Sequence, residues 1–313
     1  MKTINKEFQR DAFIKEIYIA AKKDKKIYFL SADFGAPALD DFRNNLKGQF
    51  VHLGICEQNM IDFACGMALD GAKVYAYAMA PFLALRCIEQ HKTATCLMNL
   101  NVCSIVTGIG LSYANSGPTH YSTEDLACLR SLPNAEIYTA SDSAVAKMIA
   151  RYSLKIKKPV FVRLDRKASF NFKKLVVDQE IQKGFRYIKK NNKSNLLIIS
   201  HGTILDRALK AYEILNVAQK RKVDIIELIR CKPFPNESRK KIENYKNVLT
   251  VDEQTPSGGL KSIILENVKN NVCGLSLPDK FIYENLGREK LLDKNNLSIA
   301  NILKNINRLI KNR

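Results

Sequence analysis

The stretch "FVHLGICEQNM", Phe50 to Met60, ends an apolar run on a cysteine, a glutamate and an amide. Phe50, Val51 and Leu53 read as a strand that Gly54 breaks. Met60, Ile61, Phe63, Ala64, Met67 and Ala68 then recur at helical spacing, and Gly71 stands where such a helix stops. Glu57 is therefore expected in the first helical turn at the carboxyl end of a strand, where the helix dipole favours a carboxylate. From these residues alone, a helix-start charge and a chemically placed acid read alike.

Outward from this point the same alternation repeats. "KIYFLSAD" (26–33), "KVYAYAMA" (73–80), "NVCSIVTG" (101–108), "AEIYTASD" (135–142) and "PVFVRLD" (159–165) are further candidate strands. Helical patterns run over Glu7–Lys22, Glu57–Leu69, Phe82–Met98 and Ser143–Leu154. Strands alternating with helices predict an α/β fold with a doubly wound, mostly parallel sheet, in which ligands sit at the carboxyl ends of strands. Beyond Arg166 the text becomes polar and basic, and it reads as a linker with one edge strand. The pattern then restarts with "NLLIIS" (195–200), a helix over Ile204–Gln219, "VDIIELI" (223–229), "NVLTVDE" (247–253), a helix after Gly259 and an amphipathic terminal helix over Leu297–Ile310. Two α/β domains are expected, the second smaller: residues 1–170, a linker over 171–192, and residues 193–313.

A second informative stretch is "GIGLSYANSGPTHYSTEDLACLRSLPN", 108–134. Its glycines make the backbone permissive and Pro118 fixes one dihedral, so that His120 is delivered from a shaped loop just before a short helix. A single loop histidine does not name a reaction.

Taken together, the two stretches resemble the transketolase family, in the portion that holds its pyrimidine-binding and carboxyl-terminal domains. The resemblance is carried in order by "SAD" (31–33), "GICEQNM" (54–60), "FACGMALDG" (63–71), "APF" (80–82), "GPTH" (117–120), "EDLACLRSLPN" (124–134), "RLDR" (163–166) and "VDEQTPSGGL" (251–260). The run from Glu57 to Phe82 is particularly similar to 1-deoxyxylulose-5-phosphate synthases. Members use thiamine diphosphate, whose thiazolium carbon loses a proton to the cofactor's own imino group once the pyrimidine N1′ is bonded to a carboxylate. The resemblance gives that carboxylate to Glu57, a stacking role on the pyrimidine to Phe82, and a place near the cofactor at the subunit boundary to Asp33. It gives His120 the stabilisation of charge on a substrate oxygen, and it makes Arg163 and Arg166 anion-binding residues suited to a phosphate. Arg86 falls near an active-site arginine of the deoxyxylulose synthases, one residue further from the phenylalanine. Plain readings stand beside these: Phe82 as core, Asp33 as a helix cap, Arg163 or Arg166 as a surface pair.

Two departures shape the expected function. Sugar-phosphate transketolases carry an acidic residue just before GPTH, where this chain has Ser116, and a histidine near the position of Gly108. The donor contacts are therefore altered. The family also grips the diphosphate through Mg²⁺ with a GDG…N motif in an amino-terminal domain, and GDG does not occur here. The expectation is one subunit of a split enzyme that transfers a two-carbon ketol unit between sugars or sugar phosphates. Its thiamine diphosphate is shared with an N-terminal partner subunit that holds Mg²⁺, in an α2β2 heterotetramer. The competing readings are a 2-oxoacid-decarboxylating or deoxyxylulose-synthase-like subunit with a pyruvate donor, and a non-catalytic basic binding module.

Bulk composition narrows these. Of 313 residues, 46% are hydrophobic and 26% charged, the balance of a globular protein. No apolar stretch reaches spanning length, and "MKTINKEFQRD" lacks the apolar core of a secretion signal, so a cytoplasmic location is expected. Eight scattered cysteines without a CxxC pair read as free thiols rather than a disulfide frame or zinc site. The net charge of +19 raises a nucleic-acid reading, but the lysines are spread along the chain without an aromatic-interleaved stripe. An anionic substrate or an acidic partner subunit is the expected use of that charge.

Overall fold

The structure, a computed structural model, describes residues 7–166, 176–191 and 194–311. Residues 1–6 and 167–170 of the first expected domain, 171–175 and 192 of the expected linker, and 193, 312 and 313 of the second lie outside the described residues.

Six strands fall where the apolar runs place them: β1 Ile27–Ser31, β2 Phe50–His52, β3 Lys73–Met79, β4 Val102–Thr107, β5 Glu136–Thr139 and β6 Val160–Leu164. The second half supplies β7 Phe185–Lys189, β8 Leu196–Ser200, β9 Val223–Leu228, β10 Arg230–Lys232, β11 Asn247–Val251 and β12 Asn271–Leu275. They form a seven-stranded sheet, order β10-β5-β6-β4-β3-β1-β2, and a five-stranded sheet, order β12-β11-β8-β9-β7. All pairings are parallel except β10 with β5 and β7 with β9. The interior strands β3, β4, β6, β8 and β9 are buried almost throughout, which is why they read as apolar runs rather than as alternating patterns.

Helices cover both faces of the larger sheet. Gln9–Ala21 and Ser143–Ser153 pack on one side with Phe13, Ile17, Val145 and Ile149 among the buried residues. On the other side lies Glu57–Leu69, with Met60, Ile61, Ala64 and Cys65 inward. That apolar layer continues into Phe185, Leu197, Ile199 and Leu260, so one core runs from the larger sheet into the smaller. The outer face of the smaller sheet is closed by Leu205–Ile214 and by the terminal helix Ile299–Lys311, which buries Ile302, Ile306, Leu309 and Ile310.

Three features differ from the expectation. The span 171–192 holds the expected edge strand, β7 of the smaller sheet, but also a helix, Asp178–Lys183, where only linker was expected. Residues Arg230–Lys232 of the second half leave their own sheet and extend the larger one as β10. The stretch Phe82–Met98 is not one regular helix but two π turns, Phe82–Arg86 and His91–Cys96, around a short α segment. His91 is fully buried there, its Nε2 2.9 Å from the Leu83 carbonyl oxygen and its ring edge-on to Phe161 at 4.8 Å. Burial lowers its pKa to about 4, so it is a neutral packing residue.

Eight cysteines are free, five of them buried: Cys65, Cys87, Cys96, Cys103 and Cys231. No helix among the described residues is long and apolar enough to cross a membrane.

Candidate active site

Glu57 is the first residue of the helix Glu57–Leu69 and is only 3% exposed. Cys56 before it caps with no side chain, but its Sγ donates to the Leu53 carbonyl at 2.8 Å and pins the turn that leads out of β2. At the far end Gly71, at φ +87°, allows the amides of Gly71 and Ala72 to turn back onto the Ala68 and Met67 carbonyls, ending the helix where the spacing predicts. The carboxylate is thus delivered, buried, to the dipole-favoured end of a well-bounded helix.

What faces it comes from the first π turn. Arg86 Nη1 donates to Glu57 Oε2 at 2.7 Å. The same guanidinium lies 4.5 Å from the centre of the Phe82 ring, in cation–π contact. Phe82 in turn meets the His120 ring edge-on, centroids 5.5 Å apart and planes at 74°. Phe82 and Arg86 are four apart in a turn whose backbone bonds span five residues, and this wide turn sets both on the Glu57 side. Single π turns are frequent at functional sites. Glu57, Arg86, Phe82 and His120, from three separate stretches of sequence, therefore form one contiguous group.

His120 closes a 3₁₀ turn, Pro118–His120, and its Nδ1 lies 2.9 Å from the Thr119 hydroxyl. The neck of its loop is a two-way bridge between Gly110 and Ser122 (2.8 and 3.0 Å). Inside the loop, Tyr121 donates to the Ala114 carbonyl at 3.0 Å. Ser116 is exposed on the outer rim, its amide donating to the Tyr113 carbonyl at 2.8 Å.

The remaining expected residues are placed as follows. Asp33 sits just beyond β1 in a left-handed conformation, φ +47°, exposed and paired with His52 at 3.2 Å. It caps no helix. Arg166 is exposed, its guanidinium 4.7 Å from the centre of the Tyr113 ring. Arg163 corrects the sequence reading. It is 1% exposed, bonded to both oxygens of Asp125 at 2.6 and 3.0 Å and to the Thr139 hydroxyl at 3.0 Å. Its position in the buried strand β6 spends the guanidinium between the sheets, with none of it left for a substrate anion. Burial works against its charge, but the Asp125 carboxylate outweighs this and keeps its pKa above the ordinary value.

The structure also shows groups that the sequence did not single out. Arg288, the first residue of the helix Arg288–Lys294, reaches Asp165, Glu253 and Thr203. Burial again opposes its charge, and Asp165 and Glu253 together raise its pKa. Asp252 is fully buried, accepts from the Leu260 amide at 2.7 Å, and is pushed by burial up to about 7. The only signal in the sequence was the acidic turn "VDEQTP" itself, which marked a place but no partner. Among the described residues no group of three or more His, Cys, Asp or Glu side chains is placed to hold a metal ion.

The family profile described as "Transketolase, pyrimidine binding domain" matches residues 9–170, more than half of the 313-residue chain. The chain belongs to the transketolase family. The profile "Transketolase, C-terminal domain" matches residues 186–281 of this transketolase-type chain. Among curated relatives, one of the subunits of an apulose-4-phosphate transketolase, from Phocaeicola vulgatus, is 29% identical over 87% of this chain and 88% of its own. The "Putative transketolase C-terminal section" of Methanocaldococcus jannaschii is 28% identical over 87% and 85%. A 1-deoxy-D-xylulose-5-phosphate synthase of Nitratidesulfovibrio vulgaris is 26% identical over 89% of this chain but only 44% of its own length. Among solved structures, "Split gene transketolase, inactive beta4 tetramer" shares the fold with a TM-score of 0.84 and 24% identity, covering 97% of this chain and 98% of that one.

Proposed function

We propose that this protein is the C-terminal subunit of a split transketolase, moving a two-carbon ketol unit between sugars or sugar phosphates with thiamine diphosphate. The observation that carries the reading is the buried Glu57 carboxylate beside the Phe82 face and the His120 edge. A buried carboxylate paired with a partly exposed arginine, next to a half-buried flat ring, is a set of groups that fits an aminopyrimidine. When bound, the cofactor would supply a thiazolium carbon that is a nucleophile toward the donor ketone once its proton is lost. Glu57 would hold the pyrimidine N1′ through its buried carboxylate, a hydrogen bond that favours the cofactor's imino form. Phe82 offers the apolar face on which that ring lies. His120, whose ring meets that of Phe82 edge-on, would donate to a substrate oxygen as charge develops on it. Ser116, Arg86 and Arg166, all exposed, are the groups we assign to the sugar or its phosphate, and Asp33 is assigned to the cofactor's edge at the subunit boundary.

Support for a split enzyme comes from relatives described as one subunit of a transketolase and as a C-terminal section, both covered nearly end to end. The diphosphate and its Mg²⁺ are then held by an N-terminal partner subunit, in a cytoplasmic α2β2 assembly with closed symmetry. Exposed apolar side chains among the described residues include Ile55, Phe63, Leu69, Leu97 and Met98, whereas the segment 79–85 is largely buried. A pyruvate donor is the competing chemistry, and a burst assay of the assembled pair with pyruvate against a ketose separates the two.

The deciding experiment is calorimetric titration with thiamine diphosphate and Mg²⁺. Micromolar binding is expected only after an N-terminal transketolase-type subunit is added, and Glu57→Gln in that pair should lose turnover by orders of magnitude. Tight Mg²⁺-dependent binding by the isolated chain, or near-normal turnover of Glu57→Gln, would sink the reading.

A further inference from the structure

The loop that carries His120 belongs to the larger sheet, yet its neck is held by the second domain. The Leu111 amide donates to Glu253 Oε1 at 2.9 Å. On the other side of the Gly110–Ser122 bridge, Gln254 Nε2 donates to the Ser122 carbonyl at 3.0 Å, and the Thr255 amide donates to the Thr123 carbonyl at 2.8 Å. The approach is close enough to dictate sequence: a Cβ on Gly110, at φ +59°, would stand 2.7 Å from the Glu253 carboxyl carbon. A fourth tie comes from within the first half, where the Ser112 hydroxyl donates to Asp165 Oδ1 at 2.7 Å.

Both carboxylates in these ties are buried, Asp165 at 0% and Glu253 at 6% exposure, and both converge on Arg288. Its Nε donates to Glu253 Oε1 at 2.9 Å, its Nη2 to Glu253 Oε2 and, at 2.8 Å, to the Thr203 hydroxyl, and its Nη1 to Asp165 Oδ2. Thr203 closes the ring by donating to Asp165 Oδ2 at 2.7 Å. Two buried like charges could not share this space without a cation between them, and only a forked guanidinium reaches both with separate N–H groups.

We propose that Arg288 is a positioning residue for the reaction: it fixes, through Glu253 and Asp165, the neck of the loop that presents His120. The inference rests on the role given to His120 above, and it assigns the C-terminal domain a part in catalysis without contact to substrate or cofactor. The direct test is amide hydrogen exchange of the full chain, comparing parent and Arg288→Met. Amides of residues 108–123 are expected to exchange at least about tenfold faster, while β3, β4, β8 and β11 keep their protection. Arg288→Lys, which can hold one carboxylate but not fork to both, should show a smaller and equally local loosening, and it serves if the methionine variant does not fold. Acceleration spread uniformly over both sheets, or an unchanged loop, overturns the proposal. In the assembled enzyme Arg288→Lys should lower kcat with thiamine diphosphate affinity unchanged. A loosened loop with undiminished kcat would refute the role of His120 and leave the anchoring intact, so the two failures are distinguishable.

Discussion

Replacing Arg163 with methionine separates two roles that the sequence leaves open. In the parent, both oxygens of Asp125 are satisfied by Arg163, and neither residue is more than 1% exposed. Arg163→Met keeps the unbranched apolar stem and removes the guanidinium, leaving a buried carboxylate without its partner. Breaking such a pair from one side costs about 3–5 kcal/mol. In a chain of this size that corresponds to roughly 10 °C in Tm, at about 2–4 °C per kcal/mol. Asp125→Leu should cost a similar amount, since it strands the guanidinium instead. The double variant Arg163→Met/Asp125→Leu should recover most of the loss, because no uncompensated charge remains. Denaturant midpoints followed by far-ultraviolet circular dichroism give all three values. A substrate phosphate held by Arg163 would give the opposite pattern: near-parental stability, with KM raised for phosphorylated sugars only. A loss below ~1 kcal/mol for Arg163→Met, or a double variant as unstable as the sum of the singles, refutes the clamp.

Asp252 predicts a pH dependence. Its folded pKa of about 7 lies above the unfolded value of 3.8, so between these pH values the folded chain keeps a proton that the unfolded chain has released. The stability it contributes is full below about pH 4 and is lost as pH rises to 7. Asp252→Asn should remove that slope, and parallel midpoint-against-pH curves for parent and variant would show the idea to be wrong. Arg86→Met frees both the Glu57 carboxylate and the Phe82 face; with an ion pair and a cation–π contact of about 0.5–1 kcal/mol each to displace, thiamine diphosphate should bind the assembled enzyme about 5- to 30-fold tighter. Weaker binding in calorimetry would make Arg86 a cofactor ligand instead. His120→Ala should lower turnover by ~10²–10⁴ while cofactor affinity holds, and a large loss of affinity would move His120 from the substrate to the cofactor.

How much of this was legible depends on whether the physics was local. The buried strands announced themselves because parallel strands covered on both faces are apolar at every position. Glu57 and His120 were legible because each stands at the edge of such a run, next to glycines. The π turns were not: Phe82, Leu83, Leu85 and Ile88 suit a regular helix equally well, and the contacts His91 makes with the Leu83 carbonyl and the Phe161 ring follow no sequence period. β10 has a single buried residue, Cys231, and is a strand because β5 offers it an edge. Arg163 carried a usable signal, since an arginine inside "PVFVRL" lies in a run expected to be buried on both faces and must be paired. Its partner, Asp125, is 38 residues away and follows no spacing rule. The same holds for Arg288, 123 residues from Asp165.

The strand β10 has a consequence for what counts as a unit in this molecule. It is lent by the second half to the first, and it covers the edge that β5 would otherwise present. A polypeptide cut near residue 170 would keep every helix and strand of the larger sheet's own making, yet it would expose an unpaired edge, a ready site for association with other chains. It would also bare the apolar layer that Phe185, Leu197 and Leu260 cover. The sequence boundary between the two domains is therefore not a boundary for folding, and the two halves stand or fall as one cooperative body.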